Sequence, residues 1–383
     1  MIRSSVLSFY HVNDSANIPF IDNALAKPGL PFASRIATAI LILGYYIKLL
    51  IIPHPLMWDY SWNIIPFTGF ADPWVLVSLA VYILLAFAGV KLFLRNNKSP
   101  VAFAVLFFLI TIALFSNIPF LIGSALGERF LFFPSVGFCL LMALAIDKWI
   151  VKGANDFFKN KLFLIVIISL SVVYAALAVN RNGDWRDNYT LYKADVAKNP
   201  NGAKLNYFFG YEVATTLAKK EKEPAKQKQD YELAIGYFRQ ALAIYPDYDK
   251  AESNLAFAYF NTGQYDSSQV HSIRAIQLSP DNSFALSNLA AVYNFKKDYP
   301  DAIVYYKKAI KANPTEVSSY TYCGLCYGSM GVYDSAILYT KRAIAVDPSF
   351  MASYDVLATT YRITGKTDSA KKYEDMKKGR QNQ

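Results

Sequence analysis

Histidine and cysteine are scarce in this sequence, with three of each among 383 residues. The histidines, His11, His54 and His271, stand far from one another and from any cysteine. Transition-metal sites need several such ligands at short, defined spacings. A glycine-rich phosphate-binding loop is also missing. The sequence therefore predicts neither a metal site nor a bound cofactor.

The three cysteines are too few for a disulfide framework. Cys139 lies inside an apolar run, and Cys323 and Cys326 form a Cys-Gly-Leu-Cys pair. Cys323 falls on a packing position of a predicted helix. This position favours small core residues over redox or metal chemistry.

Acidic residues are outnumbered, and the formal net charge is +10. The excess of Lys and Arg is five over residues 1–180 and five over the remainder. A nucleic-acid interface concentrates its positive charge on one face or one helix. The even spread argues against a nucleic-acid partner.

Proline recurs at a fixed interval in the last third of the chain. Pro246, Pro280, Pro314 and Pro348 are 34 residues apart, and a period of about 34 residues is typical of tetratricopeptide repeats. Small and large apolar residues recur between them at helical spacing. The pattern predicts an α-solenoid of about four to five repeats over residues 201–383.

Each repeat carries its own turn signals. Glycines at 263, 331 and 365 mark the turn between the two helices, and aspartates at 266, 334 and 368 are expected to cap the second helix. The first repeat is longer, and the charged stretch 219–229 predicts an exposed loop or helix extension.

Upstream of the repeats, five apolar runs of roughly 19 to 22 residues match the length needed to cross a bilayer. We expect a polar segment at 1–33, a membrane domain with about five transmembrane helices at 34–180, and a connecting half-repeat at 181–200. The fold class is therefore all-α, a multispan transmembrane helix bundle followed by a tetratricopeptide-repeat α-solenoid. The runs are Ser34–Pro53, Trp74–Leu94, Val101–Ile122, Phe130–Ile150 and Leu162–Asn180.

Short-loop charge predicts the orientation. The basic loops are those with Lys91, Arg95 and Lys98 and with Lys148 to Lys161, and basic loops stay in the cytoplasm. The repeat arm is then expected in the periplasm of a bacterium or the lumen of the endoplasmic reticulum. The first run contains Lys48, which leaves a re-entrant path open beside a full crossing.

Two outer loops are unusually polar. The first carries His54, Asp59 and Tyr60 among tryptophans, and such aromatics are typical either of a membrane-interface belt or of a binding cavity. The second carries Glu128 and Arg129. An arginine there can pair with its neighbour or extend to the interface, and it can also bind a lipid phosphate through its planar fork.

The order of several motifs resembles a known family. The motifs are Asp22-Asn23-Ala24-Leu25-Ala26, Asp59-Tyr60-Ser61-Trp62, Ser116-Asn117, Glu128-Arg129, Phe133-Pro134-Ser135-Val136-Gly137 and Asp184-Trp185, followed by the repeats. Together they resemble the transmembrane and tetratricopeptide repeat-containing family of protein O-mannosyltransferases. Ala24 stands where that family usually has proline.

The resemblance implies a multispan glycosyltransferase that takes sugar from a polyprenyl-phosphate donor and carries its repeats in the lumen. The sequence resembles the C-terminal half of such an enzyme, whereas the family's catalytic acids lie in an earlier external loop. We therefore assign no catalytic residue and expect a separate N-terminal half as a partner. The enzyme assignment stays open.

The residues with expected roles follow from these points. Arg129 is expected to bind the lipid phosphate of the donor and Glu128 to orient it, while His54, Asp59 and Tyr60 line the cavity. Asn254 and Asn288, 34 residues apart, resemble an asparagine ladder that holds a peptide, although asparagine is also common at this repeat position.

Two functions are compatible with the sequence. The first is a membrane glycosyltransferase component whose repeat arm binds acceptor proteins or peptides, with membrane lipid around its helices. The second is a noncatalytic membrane scaffold whose repeats recruit other proteins.

Overall fold

The computed structural model describes residues 18–62, 64–151 and 161–381, and these ranges contain helices and no strand. The chain divides into two compact units, Met1–Phe208 and Phe209–Gln383. The predicted all-α fold is confirmed. The structure of residues 1–17, within the predicted polar segment, lies outside the described ranges.

The first unit holds the apolar helices and two short helices that follow them. Its helices are α1 (Phe32–Ile51), α2 (Pro73–Arg95), α3 (Pro100–Ala113), α4 (Phe132–Ile146), α5 (Lys161–Asp184), α6 (Asn188–Lys198) and α7 (Ala203–Glu212), which contains the boundary between the units. Two 3₁₀ turns, Ala24–Ala26 and Glu128–Leu131, precede α1 and α4.

Four helical segments are long and apolar enough to cross a membrane: Phe32–Ile51, Pro73–Arg95, Glu128–Trp149 and Phe163–Asp184. The remaining predicted run, 101–122, is α-helical only to Ala113, because the chain then turns through Asn117 with a left-handed φ of 58°. Its 14 helical residues rise only about 21 Å, less than the roughly 30 Å of a hydrocarbon core.

Burial is uneven among these helices. In α1, Ala37, Ile42 and Tyr46 are fully buried, whereas no residue in the apolar part of α5 is buried. Apolar side chains on all sides of a helix are stable when lipid surrounds it. The chain is therefore a membrane protein.

The second unit is a stack of paired helices. After α7 come a π-helical turn, Val213–Leu217, and the short α8, Ala218–Lys220. The other helices are α9 (Pro224–Ile244), α10 (Asp249–Asn261), α11 (Tyr265–Leu278), α12 (Ser283–Phe295), α13 (Tyr299–Ala312), α14 (Val317–Ser329), α15 (Tyr333–Val346), α16 (Met351–Ile363) and α17 (Thr367–Gln381). The charged stretch 219–229 contains the end of α8, a short loop at 221–223 and the first six residues of α9, so it forms both a loop and a helix extension.

Stacked aromatic rings repeat with the 34-residue period. One ring comes from the first helix of a repeat and the other from the second helix, with centroids 5.4 to 5.8 Å apart. Such offset stacking adds to the burial of each ring. The pairs are Tyr259–His271, Tyr293–Tyr305, Tyr327–Tyr339 and Tyr361–Tyr373.

The predicted aspartate caps are wrong. Helices α11 and α15 begin one residue before Asp266 and Asp334, and α17 begins one residue before Asp368. These carboxylates therefore lie in the first helical turn, where they stabilise the positive end of the helix dipole.

The cysteine pair lies in the core of the repeats. Cys323 and Cys326 are both 0% exposed, and Cys326 donates to Asn294 across 3.4 Å. Burial raises the pKa of each thiol to about 12. Both thiols therefore stay protonated and unreactive at neutral pH.

Three of the four turns between paired helices use glycine in the left-handed region. Gly263, Gly331 and Gly365 have φ values of 80°, 78° and 73°, and the equivalent Lys297 has 64°. This conformation has a steric cost for lysine because its Cβ approaches the carbonyl oxygen. The third repeat, formed by α12 and α13, therefore has a strained turn.

Lys297→Gly should raise the free energy of unfolding by about 1 kcal/mol, because relief of about 1–2 kcal/mol of strain exceeds the entropy that glycine adds to the unfolded chain. Denaturant unfolding of the purified chain measures the change. Gly331→Lys is the matched reverse substitution, since nothing lies within 4 Å of an added Cβ, and it should destabilise. Equal stabilities for all three proteins would contradict the strain argument.

Candidate functional site

The polar loop between α1 and α2 is held by a carboxylate from the 3₁₀ turn that precedes α4. Oε1 of Glu128 accepts hydrogen bonds from the backbone N–H of Met57 at 2.8 Å and from the hydroxyl of Tyr60 at 2.6 Å. Burial and the Glu128 charge raise the pKa of Tyr60, which therefore remains a hydrogen-bond donor. Glu128 fixes the conformation of residues 57–60.

A second carboxylate connects the same loop to the chain that follows α5. Asp195 of α6 has a fully buried side chain, and its Oδ2 accepts from the backbone N–H of Trp58 at 2.7 Å. Arg181, at the end of α5, binds both oxygens of Asp195 at 2.6 and 3.1 Å. A bidentate pair of this kind is both strong and directional.

A lysine extends this cluster. Nζ of Lys198 lies 2.9 Å from Asp184 and 3.3 Å from Asp195, and it donates to the carbonyl of Leu56 at 3.3 Å. Two cations and two carboxylates thus neutralise one another at the end of the last apolar helix. We name Arg181, Asp184, Asp195 and Lys198 the charge cluster.

Asp59 is held by another lysine. Nζ of Lys204 lies 3.2 Å from Asp59 and 2.9 Å from Asp22, and Asp59 also accepts from the hydroxyl and backbone N–H of Ser61. Burial opposes the charge of Lys204, but the two carboxylates outweigh it and raise the pKa of the lysine. Their stabilisation is complete below the ordinary value of 10.5 and is lost as pH rises through the raised pKa.

Two asparagines bring the remaining motifs together. Nδ2 of Asn23 donates to Oδ1 of Asn117 at 2.9 Å and to the carbonyl of Ile122 at 2.7 Å. Asn117 in turn donates to the carbonyls of Ser124 and Ala125. Both side chains are buried, so these bonds satisfy groups that would otherwise be costly to desolvate.

The side chains of Glu128 and Arg129 contact different groups and do not pair with each other. The guanidinium of Arg129 lies over the Phe130 ring, 5.1 Å from its centroid, and no ion pair joins it to a carboxylate within the described ranges. His54 is exposed and precedes a cis peptide bond to Pro55. Tyr60 and Asp59 point to different partners. Their roles in donor binding and cavity lining stay predictions.

Within residues 18–62, 64–151 and 161–381, no group of three His, Cys, Asp or Glu side chains is placed to hold a metal ion. The polar groups of the described loops include amides, carboxylates paired with lysine or arginine, the Glu128 carboxylate and the Tyr60 hydroxyl. These groups suit the positioning of loops and the binding of a polar ligand.

Four side chains of the polar contacts were not predicted from the sequence: Arg181, Asp195, Lys198 and Lys204. Only Asp184, in the Asp184-Trp185 motif, pointed to this region. A usable signal was the arginine one turn before Asp184, at the end of an otherwise apolar helix, because a charge at that depth needs a partner.

In the second unit, Asn254 and Asn288 are 6% and 8% exposed. Nδ2 of Asn254 donates to Lys250 in its own helix at 2.8 Å, whereas Nδ2 of Asn288 donates to Ser253 of the preceding repeat at 3.0 Å. The amide of Asn288 therefore links two repeats. Peptide binding by these residues stays a prediction.

Replacing Asp195 by asparagine should lower the free energy of unfolding by about 3 kcal/mol, because it removes one partner of a buried ion pair and leaves Arg181 undercompensated. Chemical unfolding of the full chain in detergent measures the loss. Asp187→Asn at the start of the same helix is the control, since Asp187 is an exposed N-cap and asparagine caps about equally well. Equal losses would show that Asp195 is not critical.

Comparison with known proteins supports the repeat assignment. Tetratricopeptide repeat profiles match residues 225–271 and 283–316. The crystal structure of MamA is similar at 24% identity and a TM-score of 0.37, over 41% of this chain and 92% of that protein.

The chain has relatives among the protein O-mannosyl-transferases. The mouse protein O-mannosyl-transferase TMTC3 is 28% identical over 216 residues, which is 56% of this chain and 22% of that protein. The protein O-mannosyl-transferase F38B6.6 of Caenorhabditis elegans is 30% identical over 166 residues, 43% of this chain and 23% of that protein. The matched part of the chain covers less than a quarter of each of these relatives, and over that part the chain is similar to protein O-mannosyl-transferases.

Proposed function

We propose that this chain is a component of a membrane glycosyltransferase that uses a lipid-linked sugar and binds acceptor proteins through its repeats. The observation that carries the proposal is the convergence of the family-like motifs on one polar network. Asp22 and Asp59 meet at Lys204, Asn23 meets Asn117, and Glu128 holds the 57–60 loop. Such a network at the end of apolar helices fixes loops beside the lipid.

Arg129 is the proposed contact for the donor. Its side chain is exposed, and it has no carboxylate partner in the described part of the chain. A guanidinium can bind two oxygens of one phosphate, and proximity to lipid suits a polyprenyl-phosphate headgroup. Glu128 supports this site indirectly, because it holds the loop that carries His54, Asp59 and Tyr60.

The repeats are the proposed acceptor-binding part. In a repeat superhelix the first helices form the concave face, which assigns α10 and α12 to it. Oδ1 of Asn288 accepts no hydrogen bond from the described residues. An amide oxygen in that position can accept from the backbone of a peptide of any sequence.

The orientation proposed for the chain places the repeats outside the cytoplasm. Lys91, Arg95 and Lys98 cluster at the turn between α2 and α3, and this basic turn is expected on the cytoplasmic side. An acceptor that has crossed the membrane can then reach the repeats. In this orientation the loop at 54–62 and the charge cluster face the same, outer side.

Arg129→Ala should weaken binding of a fluorescent polyprenyl phosphate to the purified chain in nanodiscs by about tenfold or more, the loss of one charge-assisted bidentate contact. Arg95→Ala is the matched control, an exposed arginine at the end of α2. Equal affinities of the two variants would reject Arg129 as the phosphate contact. Failure of the unchanged chain to bind would favour the scaffold function.

Single cysteines in a Cys139→Ala background should report the orientation. Lys311→Cys in the repeats should react with a membrane-impermeant maleimide in sealed vesicles whose outer surface is the extracytoplasmic face of the membrane, and Lys98→Cys should react only after permeabilisation. Cys323 and Cys326 should stay silent because their thiols are buried with a pKa of about 12. Labelling in the opposite order would overturn the proposed orientation.

A further inference from the structure

One pocket of the second unit has polar residues that the later repeats lack at the equivalent positions. A pocket of about 560 Å³ opens between α9, α10 and α11, and its lining includes Arg239, Glu252, His271 and Arg274. This volume is in the usual range for a ligand site. The predicted peptide-binding residues Asn254 and Asn288 are not among its lining residues.

Two polar residues stand where other repeats have apolar or aromatic ones. Glu252 corresponds to Leu286, Tyr320 and Tyr354, which lie one, two and three periods later. His271 corresponds in the same way to tyrosines at 305, 339 and 373. Leucine or tyrosine at these two positions is sufficient for packing in the other repeats. Packing therefore does not explain why Glu252 and His271 are polar.

Glu252 and His271, the polar pair, contact each other. Glu252 is 7% exposed, and its Oε2 lies 2.6 Å from Nδ1 of His271. The His271 ring also stacks on Tyr259 with a centroid distance of 5.4 Å. The wall of the pocket is therefore fixed by contacts on both sides of the imidazole.

The cations of the pocket are available for a ligand. Arg239 is exposed and has no hydrogen-bond or ion-pair partner in the described ranges. One nitrogen of Arg274 binds Asp247 at 2.7 Å, which leaves its other N–H groups unused by that contact. The pocket therefore contains the guanidinium of Arg239, which can bind a ligand, and that of Arg274, which has N–H groups left for one.

The remaining lining is mostly apolar and comes from Leu242, Pro246 and Leu255, with Tyr259. A ligand that fits must carry both an anionic group and apolar surface. The carboxylates of Glu252 and Asp247 lie close by and would repel a dianion such as phosphate. A monoanionic carboxylate is the best match.

We propose that this pocket binds a carboxylate carried on an apolar peptide segment, with Arg239 and Arg274 as its cationic contacts. The inference goes beyond glycosyl transfer and does not depend on it. Either an internal glutamate or aspartate side chain or the C-terminus of a peptide supplies the same group.

Anisotropy titrations of the full chain in detergent with rhodamine-labelled peptides test the site. One peptide has an internal glutamate between leucines and an amidated C-terminus, the second has glutamine instead, and the third has glutamine with a free C-terminus. The glutamate peptide should bind about tenfold more tightly than its amidated glutamine counterpart. If the third peptide binds as tightly as the glutamate peptide, a C-terminal carboxylate can also occupy the pocket.

Arg239→Gln should abolish the difference between the first two peptides, while Arg342→Gln, at the position equivalent to Arg274 two repeats later, should leave it intact. The double variant Glu252→Leu, His271→Tyr copies the repeat formed by α12 and α13. It removes one carboxylate and keeps both arginines, so it should keep the fold and prefer the glutamate peptide at least as strongly as the unchanged chain does. Arg129→Ala should bind all peptides normally, which separates this site from donor binding.

An equal affinity of the unchanged chain for the glutamate and glutamine peptides would overturn the proposal. The proposal would also fail if Arg239→Gln and Arg342→Gln behaved alike, or if the double variant was folded by circular dichroism and no longer preferred the acidic peptide.

Discussion

The buried carboxylate of Asp195 is the contact on which the first unit depends. A charge removed from water is tolerated only when its lone pairs are satisfied, and Asp195 achieves this with Arg181, Lys198 and the backbone of Trp58. These partners come from the end of α5, from α6 and from the loop after α1. One side chain therefore joins the last apolar helix to the polar loop.

The motifs that indicated a membrane glycosyltransferase serve first as structural partners of one another. Asn23 with Asn117, and Asp22 and Asp59 with Lys204, connect segments that are far apart in sequence. A sequence identifies such residues as unusual because polar side chains are costly near lipid. It does not identify the partner, since Lys204 lies 145 residues from Asp59 and no local period relates them. This is why the polar loops were found while Arg181, Asp195, Lys198 and Lys204 were not.

The repeats were more predictable because their contacts are local. The 34-residue period, the glycine turns and the extended α9 all followed from spacing and turn chemistry. The aspartate caps were misplaced by one or two residues, a difference that depends on local backbone dihedrals rather than on pattern. The end of α3 was also missed, because apolar residues continue beyond Ala113 while the chain turns to bring Asn117 to Asn23.

The serines of α11 have a consequence for how the solenoid unfolds. Ser268 and Ser272 are fully buried, and their hydroxyls have no hydrogen-bond partner in the described ranges, whereas alanine occupies the place of Ser268 in the next three repeats. In a linear array each repeat is stabilised mainly by itself and its neighbours. Cooperativity along such an array is limited by its least stable member. The two unsatisfied hydroxyls weaken α11 relative to the second helices of the next repeats, and α11 is therefore expected to exchange its amide hydrogens earlier than α13 and α15.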